Sequence, residues 1–217
     1  MVKNLSKEFS VLNNWISELR NVKVQHDRMR FRRNLERIGE IMAYEISKEL
    51  KWEEKEITTP LGIHRSKILA EQPVLATILR AGIPLHNGML NYFDHAENSF
   101  ISAYRKHHRD GSFEIEMEYL SSPSTENKVV VISDPMIATG SSIVKAINAI
   151  KEVGIPQKIY VVCAIASTVG IQYLLREIGN EIDIWCGDID EEITAKGYIV
   201  PGLGDAGDLA YGSKSQA

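Results

Sequence analysis

The sequence has few cysteines, no long apolar run and no dominant charge, and each shortage excludes something. Cys163 and Cys186 are the only thiols in 217 residues. That is too few for a disulfide framework, and both sit inside apolar runs, so they read as reduced core thiols. No apolar run reaches the ~20 residues that a membrane-spanning helix needs. The opening MVKNLSKEFS lacks the apolar stretch of a secretory signal. A cytoplasmic protein with no membrane partner is therefore expected. The 25 Lys and Arg against 29 Asp and Glu leave a net charge of −4, which gives no hint of a nucleic-acid partner. An anionic ligand would need a local basic or amide-lined site. There is no GK[ST] loop, and no G-x-G-x-x-G stands at the strand-to-helix turn in 129–142. No His, Cys, Asp and Glu set has metal-cage spacing, which argues against zinc. Neither linker, repeat nor low-complexity tract divides the chain. Residues 1–217 thus read as a single domain, large enough to bury a core without cross-links.

What is present is patterned. From 27 to 50, apolar residues fall at Phe31, Leu35, Ile38, Met42 and Ile46, the spacing of an amphipathic helix with Asp27 as its N-cap. The cluster Arg28, Arg30, Arg32 and Arg33 on that segment reads as a solvated face or a subunit contact. Beyond it, Val- and Ile-rich runs at 74–79, 129–132, 159–165 and 182–185 alternate with helical stretches at 84–92, 142–153 and 169–178. Continuous apolar strands separated by helices predict an α/β fold with a parallel sheet flanked by helices. Residues 105–122 interrupt this pattern. A central Asp110-Gly111 and the alternation Phe113, Ile115, Met117, Tyr119 predict an antiparallel hairpin, a β-arm.

The stretch 129–142, VVVISDPMIATGSS, reads as a strand ending at Ser133 and a helix starting near Ser141 or Ser142. The turn between them leaves amides without intrahelical partners at the positive end of the helix dipole. Small residues let an anion approach, and Thr139, Ser141 and Ser142 add hydroxyl donors. Asp134 stands at the carboxyl end of the strand, where open α/β sheets bind ligands, and its carboxylate can accept from a ribose diol. A plain helix cap with a proline turn would carry the same letters.

Residues 197–212, GYIVPGLGDAGDLAYG, read as a Gly-rich loop carrying two fixed acids, Asp205 and Asp208, and long loops of this kind are often functional. A loose tail is the alternative, and the terminal GSKSQA is one. Two arginines, Arg80 in LRAG and Arg105 in YRK, close apolar strands at the ligand-facing edge. Guanidinium groups grip phosphate oxygens bidentately. His107, His108 and Arg109 read as solvated loop residues.

DPMIATGSS resembles the phosphoribosyl pyrophosphate (PRPP) loop of type I phosphoribosyltransferases, with the single acid and Pro-Met of the uracil branch. YIVPGLGDAGD resembles the uracil-recognition loop of uracil phosphoribosyltransferases, and the likeness runs from about Asp27 to Gly212. It implies transfer of the phosphoribosyl group of PRPP to N1 of uracil, giving UMP and pyrophosphate in pyrimidine salvage. It implies PRPP contacts at Arg80, Arg105, Asp134, Pro135, Met136, Ile137, Ala138, Thr139, Gly140, Ser141, Ser142 and Asp205. Uracil contacts are implied at Ile199, Gly204, Asp205 and Ala206, read by backbone donors and acceptors. Arg105, Asp134 and Asp205 are implied as catalytic, with Asp205 turned to PRPP through a metal ion or a ribose hydroxyl. Mg²⁺ should arrive on the pyrophosphate rather than in a protein cage. The resemblance also implies a homodimer or homotetramer, and GTP activates parts of the family.

The chain departs from the family at Ser141, where a second Gly is usual; serine still leaves its N–H free, so phosphate binding is expected to survive, though a tight positive-φ turn there would be strained. Ile83-Pro84 stands for the usual Leu-Gly. The rival readings are a phosphoribosyltransferase for a purine or orotate, a weakened paralogue, and an RNA-binding regulator of pyrimidine genes on the same fold.

Overall fold

The computed structural model describes residues 1–107 and 113–214. The chain opens with β1 (Val2–Asn4), α1 (Val11–Arg20) and α2 (Arg28–Ser47), followed by a hairpin of β2 (Trp52–Thr59) and β3 (Gly62–Leu69). Next come β4 (Val74–Leu79), α3 (Ile83–Leu90), β5 (Asn98–His107), β6 (Phe113–Ser121), β7 (Val129–Ser133), β8 (Met136–Ile137) and α4 (Ser141–Glu152). The last elements are β9 (Lys158–Ser167), α5 (Thr168–Ile178), β10 (Ile182–Asp190), β11 (Glu192–Ile193), β12 (Ile199–Val200) and α6 (Ala206–Tyr211).

The main sheet runs β1-β10-β9-β7-β4-β5-β6, with β8 also paired to β9. Its neighbours are parallel except β5 and β6, which form the antiparallel arm. The apolar runs are continuous because both faces are covered. Leu75, Val131, Val162 and Trp185 pack with Leu12, Phe31, Leu35 and Leu85 of α1, α2 and α3. Their strand neighbours Ala76, Val130, Val161 and Ile184 pack with Ile143, Ile147, Ile171 and Leu174 of α4 and α5. The period of two along each strand separates the layers.

The connectivity fixes where a ligand can sit. From β4 the chain steps to β5 on one side, while β7, on the other side of β4, leads on to β9 and β10. Strands β4 and β7 therefore flank the point where strand order reverses, and the crevice beyond their carboxyl ends is the expected ligand site of such a sheet. Arg80 follows β4 and Asp134 follows β7.

Several elements lacked a readable pattern. Strand β2, WEEKEITT, is exposed along its whole length, so no apolar alternation marks it. The β2–β3 hairpin turns at Pro60 and Leu61, between the paired Thr59 and Gly62. Helix α1 buries only Leu12, Ile16 and Leu19. The helix expected at 27–50 is α2, and Asp27 caps it by accepting from the Arg30 N–H at 3.0 Å. His108, Arg109 and the Asp110-Gly111 turn lie outside the described residues.

Cys163 and Cys186 are register neighbours on β9 and β10, both fully buried and free. Burial raises the Cys163 thiol well above its ordinary value. A water-soluble thiol reagent at pH 8 should label neither cysteine in the native protein and both after denaturation. Fast labelling of the folded chain would contradict this packing.

Candidate active site

The turn after β7 is held by close approaches to its neighbours. Strand β7 ends at the buried Ser133, and the Asp134 N–H donates to the Val162 carbonyl at 3.1 Å. The Pro135 carbonyl accepts from the Ala164 and Ile165 amides at 3.0 and 3.1 Å, and β8 then runs beside β9. The loop is thus stitched to the sheet through its first four residues. Pro135 and Ile137 are buried, so they can meet a ligand only through backbone. Met136, Ala138, Thr139, Ser141 and Ser142 are partly exposed.

Gly140, at φ 81°, is the N-cap of α4 and supplies no side-chain cap. The Ser141 amide reaches the Thr139 hydroxyl oxygen at 3.4 Å, and the amides that follow it in the first turn lack intrahelical acceptors, which suits an anion. Positive φ falls on Gly140, and Ser141 is the first residue of α4. The strain expected at Ser141 is absent, because the left-handed position lies one residue earlier, on a glycine. The Thr139 and Ser141 hydroxyls are 2.8 Å apart. Helix α5 supports the loop from behind. Ser167 donates to the Ala138 carbonyl at 2.5 Å, and a Cβ on Gly170 would stand 2.5 Å from the same oxygen.

The loop after β4 lies between the other two. The Leu79–Arg80 peptide is cis. A Cβ on Gly82 would stand 2.2 Å from Thr77 Oγ1 and 2.8 Å from the Ser133 carbonyl, so the backbone after Arg80 presses against the strand that presents Asp134. On its other side, a Cβ on Gly207 would stand 3.9 Å from that of Ala81. Arg80 itself donates to Asp208 Oδ1 at 3.4 Å and to the Gly212 carbonyl at 3.2 Å. Arg80 and Asp208 are both well exposed, so this pairing is weak and can exchange for a ligand anion.

Residues 197–212 are more ordered than a loop. Ile199 is buried in β12, paired with β11, and the Val200–Pro201 peptide is cis. Gly204 is exposed at φ 93°. Asp205 caps α6 by accepting from the Asp208 N–H at 2.9 Å, and Ala206 is buried.

Helix α2 supports this segment. Arg32 donates to the Ala210 carbonyl at 2.7 Å and lies over the Tyr211 ring at 5.8 Å. The expected solvated face holds for Arg30, paired with Glu18, and for Arg33, paired with Glu36. It does not hold for Arg32, and Asp208 and Arg32 are contacts that the sequence reading did not assign to the site.

The Arg80 turn thus presses on the end of β7 on one side and stands beside the 204–208 segment on the other. Arg105 lies farther along β5 in the arm, in register with Ile115. Among the described residues, no group of three His, Cys, Asp or Glu side chains is arranged to hold a metal ion.

The architecture is the fold of solved phosphoribosyltransferases. A hypoxanthine phosphoribosyltransferase structure from Staphylococcus aureus shares the fold, with TM-score 0.51 over 85% of this chain and 83% of that one at 15% identity. A solved structure described as the AQ2163 protein of Aquifex aeolicus matches all of both chains with TM-score 0.88 and 31% identity.

A model of the uracil phosphoribosyltransferase family matches residues 7–213, and the chain belongs to that family. A relative named uracil phosphoribosyltransferase from Porphyromonas gingivalis is 50% identical over 213 residues, 98% of this chain and 99% of the relative. One of the same name from Thermococcus gammatolerans is 37% identical over 201 residues, 91% of this chain and 88% of the relative.

Two glycines separate strain from crowding. Gly140 and Gly179 both have φ near 80°, but a Cβ would meet the Gly170 carbonyl at 2.8 Å in the first and nothing within 4 Å in the second. Gly140→Ala should lower Tm more than Gly179→Ala, and only the former should reduce activity. Equal effects in melting and in turnover would refute the close approach.

Proposed function

We propose that the chain transfers the 5-phosphoribosyl group of PRPP to N1 of uracil, releasing pyrophosphate and forming UMP. One observation carries the reading. The Arg80 loop stands at the sheet's switch point, pressed against the strand end that carries Asp134 and beside Gly207 of the segment 197–212.

In this reading the 5′-phosphate binds the amides of Ala138, Thr139, Gly140, Ser141 and Ser142, with the hydroxyls of that turn. Asp134 accepts from the ribose diol. Arg80 leaves Asp208 to hold the pyrophosphate, and Arg105 of the arm joins it. Both guanidiniums keep their charge while negative charge grows on the leaving group. The backbone of Ile199, Gly204, Asp205 and Ala206 reads the alternating acceptor and donor edge of uracil. Cytosine would present its amine where an acceptor is needed, leaving buried groups unpaired.

The carbon–oxygen bond to pyrophosphate breaks as N1 attacks the anomeric carbon, with oxocarbenium character. No side chain in the crevice is assigned as a general base. Positioning and electrostatic stabilisation supply the rate, as in phosphoryl transfer.

Mg²⁺ fits this site as a passenger on the substrate. The crevice offers the carboxylates of Asp134 and Asp205, which are hard oxygen donors, rather than a cage. Bound to pyrophosphate, the ion would neutralise charge on the leaving group.

We place the protein in the cytoplasm, consistent with the lack among the described residues of any helix long and apolar enough to cross a membrane. The β2–β3 ribbon, exposed with Trp52, Ile57, Leu61 and Ile63, supports assembly into a homodimer or homotetramer. Isolated two-stranded ribbons have little stability of their own. Activation by GTP belongs to the same reading and is tested by adding it to the assay.

Pyrophosphate release from PRPP and Mg²⁺ should occur with uracil and not with cytosine, orotate, hypoxanthine or guanine. Turnover with another base would overturn the assignment of 197–212. Arg80→Ala should lower kcat/KM for PRPP by roughly 10²-fold or more, the scale of losing one electrostatic contact to the transition state. An unchanged value would remove Arg80 from the site.

A further inference from the structure

Behind the segment assigned to uracil stands a polar grip that the reaction itself does not require. Arg20, the last residue of α1, spreads its guanidinium over two carboxylates of β10. Its Nη1 meets Asp190 Oδ2 at 2.8 Å, and its Nη2 meets Asp190 Oδ1 at 2.9 Å and Asp188 Oδ2 at 2.8 Å. The same Nη1 donates to the carbonyl of Gly202 at 3.0 Å, and Asp190 Oδ2 accepts from the Gly202 N–H at 3.0 Å. One ion pair thus holds both backbone groups of a single residue. Asp190 is 7% exposed and the Arg20 side chain 19%, so these charge-assisted bonds are shielded from water and strong.

The next residue is held as well. The Leu203 carbonyl accepts from Gln25 Nε2 at 3.0 Å, and that amide also donates to the Leu19 carbonyl at 2.8 Å. Gln25 is 8% exposed.

The gripped turn is tight. Gly202 has φ 58°, and a Cβ there would stand 2.2 Å from the Ile199 carbonyl. The chain must therefore fold back on Ile199, and only glycine fits. The grip falls between Ile199 and Gly204, the two places where the backbone is read as meeting the base. A recognition edge made of backbone groups has no rotamers to adjust, so its accuracy depends on what holds the chain from behind.

We propose that Arg20, Asp190 and Gln25 are positioning residues for base recognition. Without touching substrate, they set uracil affinity by fixing the backbone of Gly202 and Leu203. This rests on the reading of 197–212 as the uracil segment.

The test is steady-state kinetics on the full chain with uracil and PRPP varied in turn, for wild type, Asp190→Asn, Arg20→Lys, Arg20→Met and Gln25→Met. KM for uracil should rise ~10-fold or more in Asp190→Asn and Arg20→Met, the scale of losing hydrogen bonds to a charged group. Gln25→Met should raise it by roughly fivefold, as expected for a neutral bond. KM for PRPP should stay within about twofold in each. Arg20→Lys keeps the charge and loses the fork, so it should fall between wild type and Arg20→Met.

A purely structural role predicts lower Tm with both KM values unchanged, or both rising together, and either result overturns the proposal. If removing a buried charge partner prevents folding, Gln25→Met decides alone, because it alters no charge. A wild type that does not use uracil refutes the reading of the segment. A wild type that does, with no split between the two KM values in the variants, refutes only this inference.

Discussion

The contact on which the site depends is backbone against backbone, where Gly82 meets strand β7. With no room for even a methyl group between Gly82 and the Ser133 carbonyl, the turn that carries Arg80 and the strand end that carries Asp134 are held as one unit. The parallel pairing of β4 with β7 makes the contact possible, since it brings two carboxyl ends to the same edge in register, Thr77 beside Ser133. Charge of both signs is thereby presented at one edge of the sheet: a cation after β4, a carboxylate after β7, and the first-turn amides of α4. A ligand bearing a phosphate, a diol and a pyrophosphate matches that arrangement.

Around this centre, rigid neighbours take the place that caps and covalent links hold elsewhere. Helix α5 crowds the 138–142 turn through Gly170, and α2 reaches the C-terminal segment through Arg32. The acids of α6 are engaged locally, Asp205 as its cap and Asp208 with Arg80. Side chains at the crevice are thus partnered by groups that a substrate can displace, whereas the backbone that carries them is fixed by contacts a substrate cannot reach.

The parts of this arrangement that obey a period or a local rule were legible in the sequence. Strand β4 spans the residues expected at 74–79 because both its faces are apolar, and the helix after the phosphate turn starts at Ser141 as its small residues suggested. The β-arm appeared where the alternation began. What escaped has no such signature. Strand β2 is charged on both faces, and α6 is a six-residue helix inside a glycine-rich stretch. The contact of Arg32 with Ala210 joins residues 178 apart, a separation that no window along the sequence spans. The left-handed position falls on Gly140 rather than on Ser141. One glycine, correctly positioned at 140, is sufficient.

The pairing of α2 with α3 bears on how change in this protein would be read. A Cβ on Gly39 would stand 2.2 Å from the Leu85 carbonyl, and one on Gly88 would stand 1.9 Å from the Glu36 carbonyl. The two helices touch main chain to main chain, with no side chain between them to repack. Helix α3 begins just after the Arg80 turn, and α2 carries Arg32 to the segment 197–212. The Arg80 turn and the segment 197–212 thus share one stiff mount. A single methyl group added at position 39 would push that mount apart and displace both segments at once, although it touches neither.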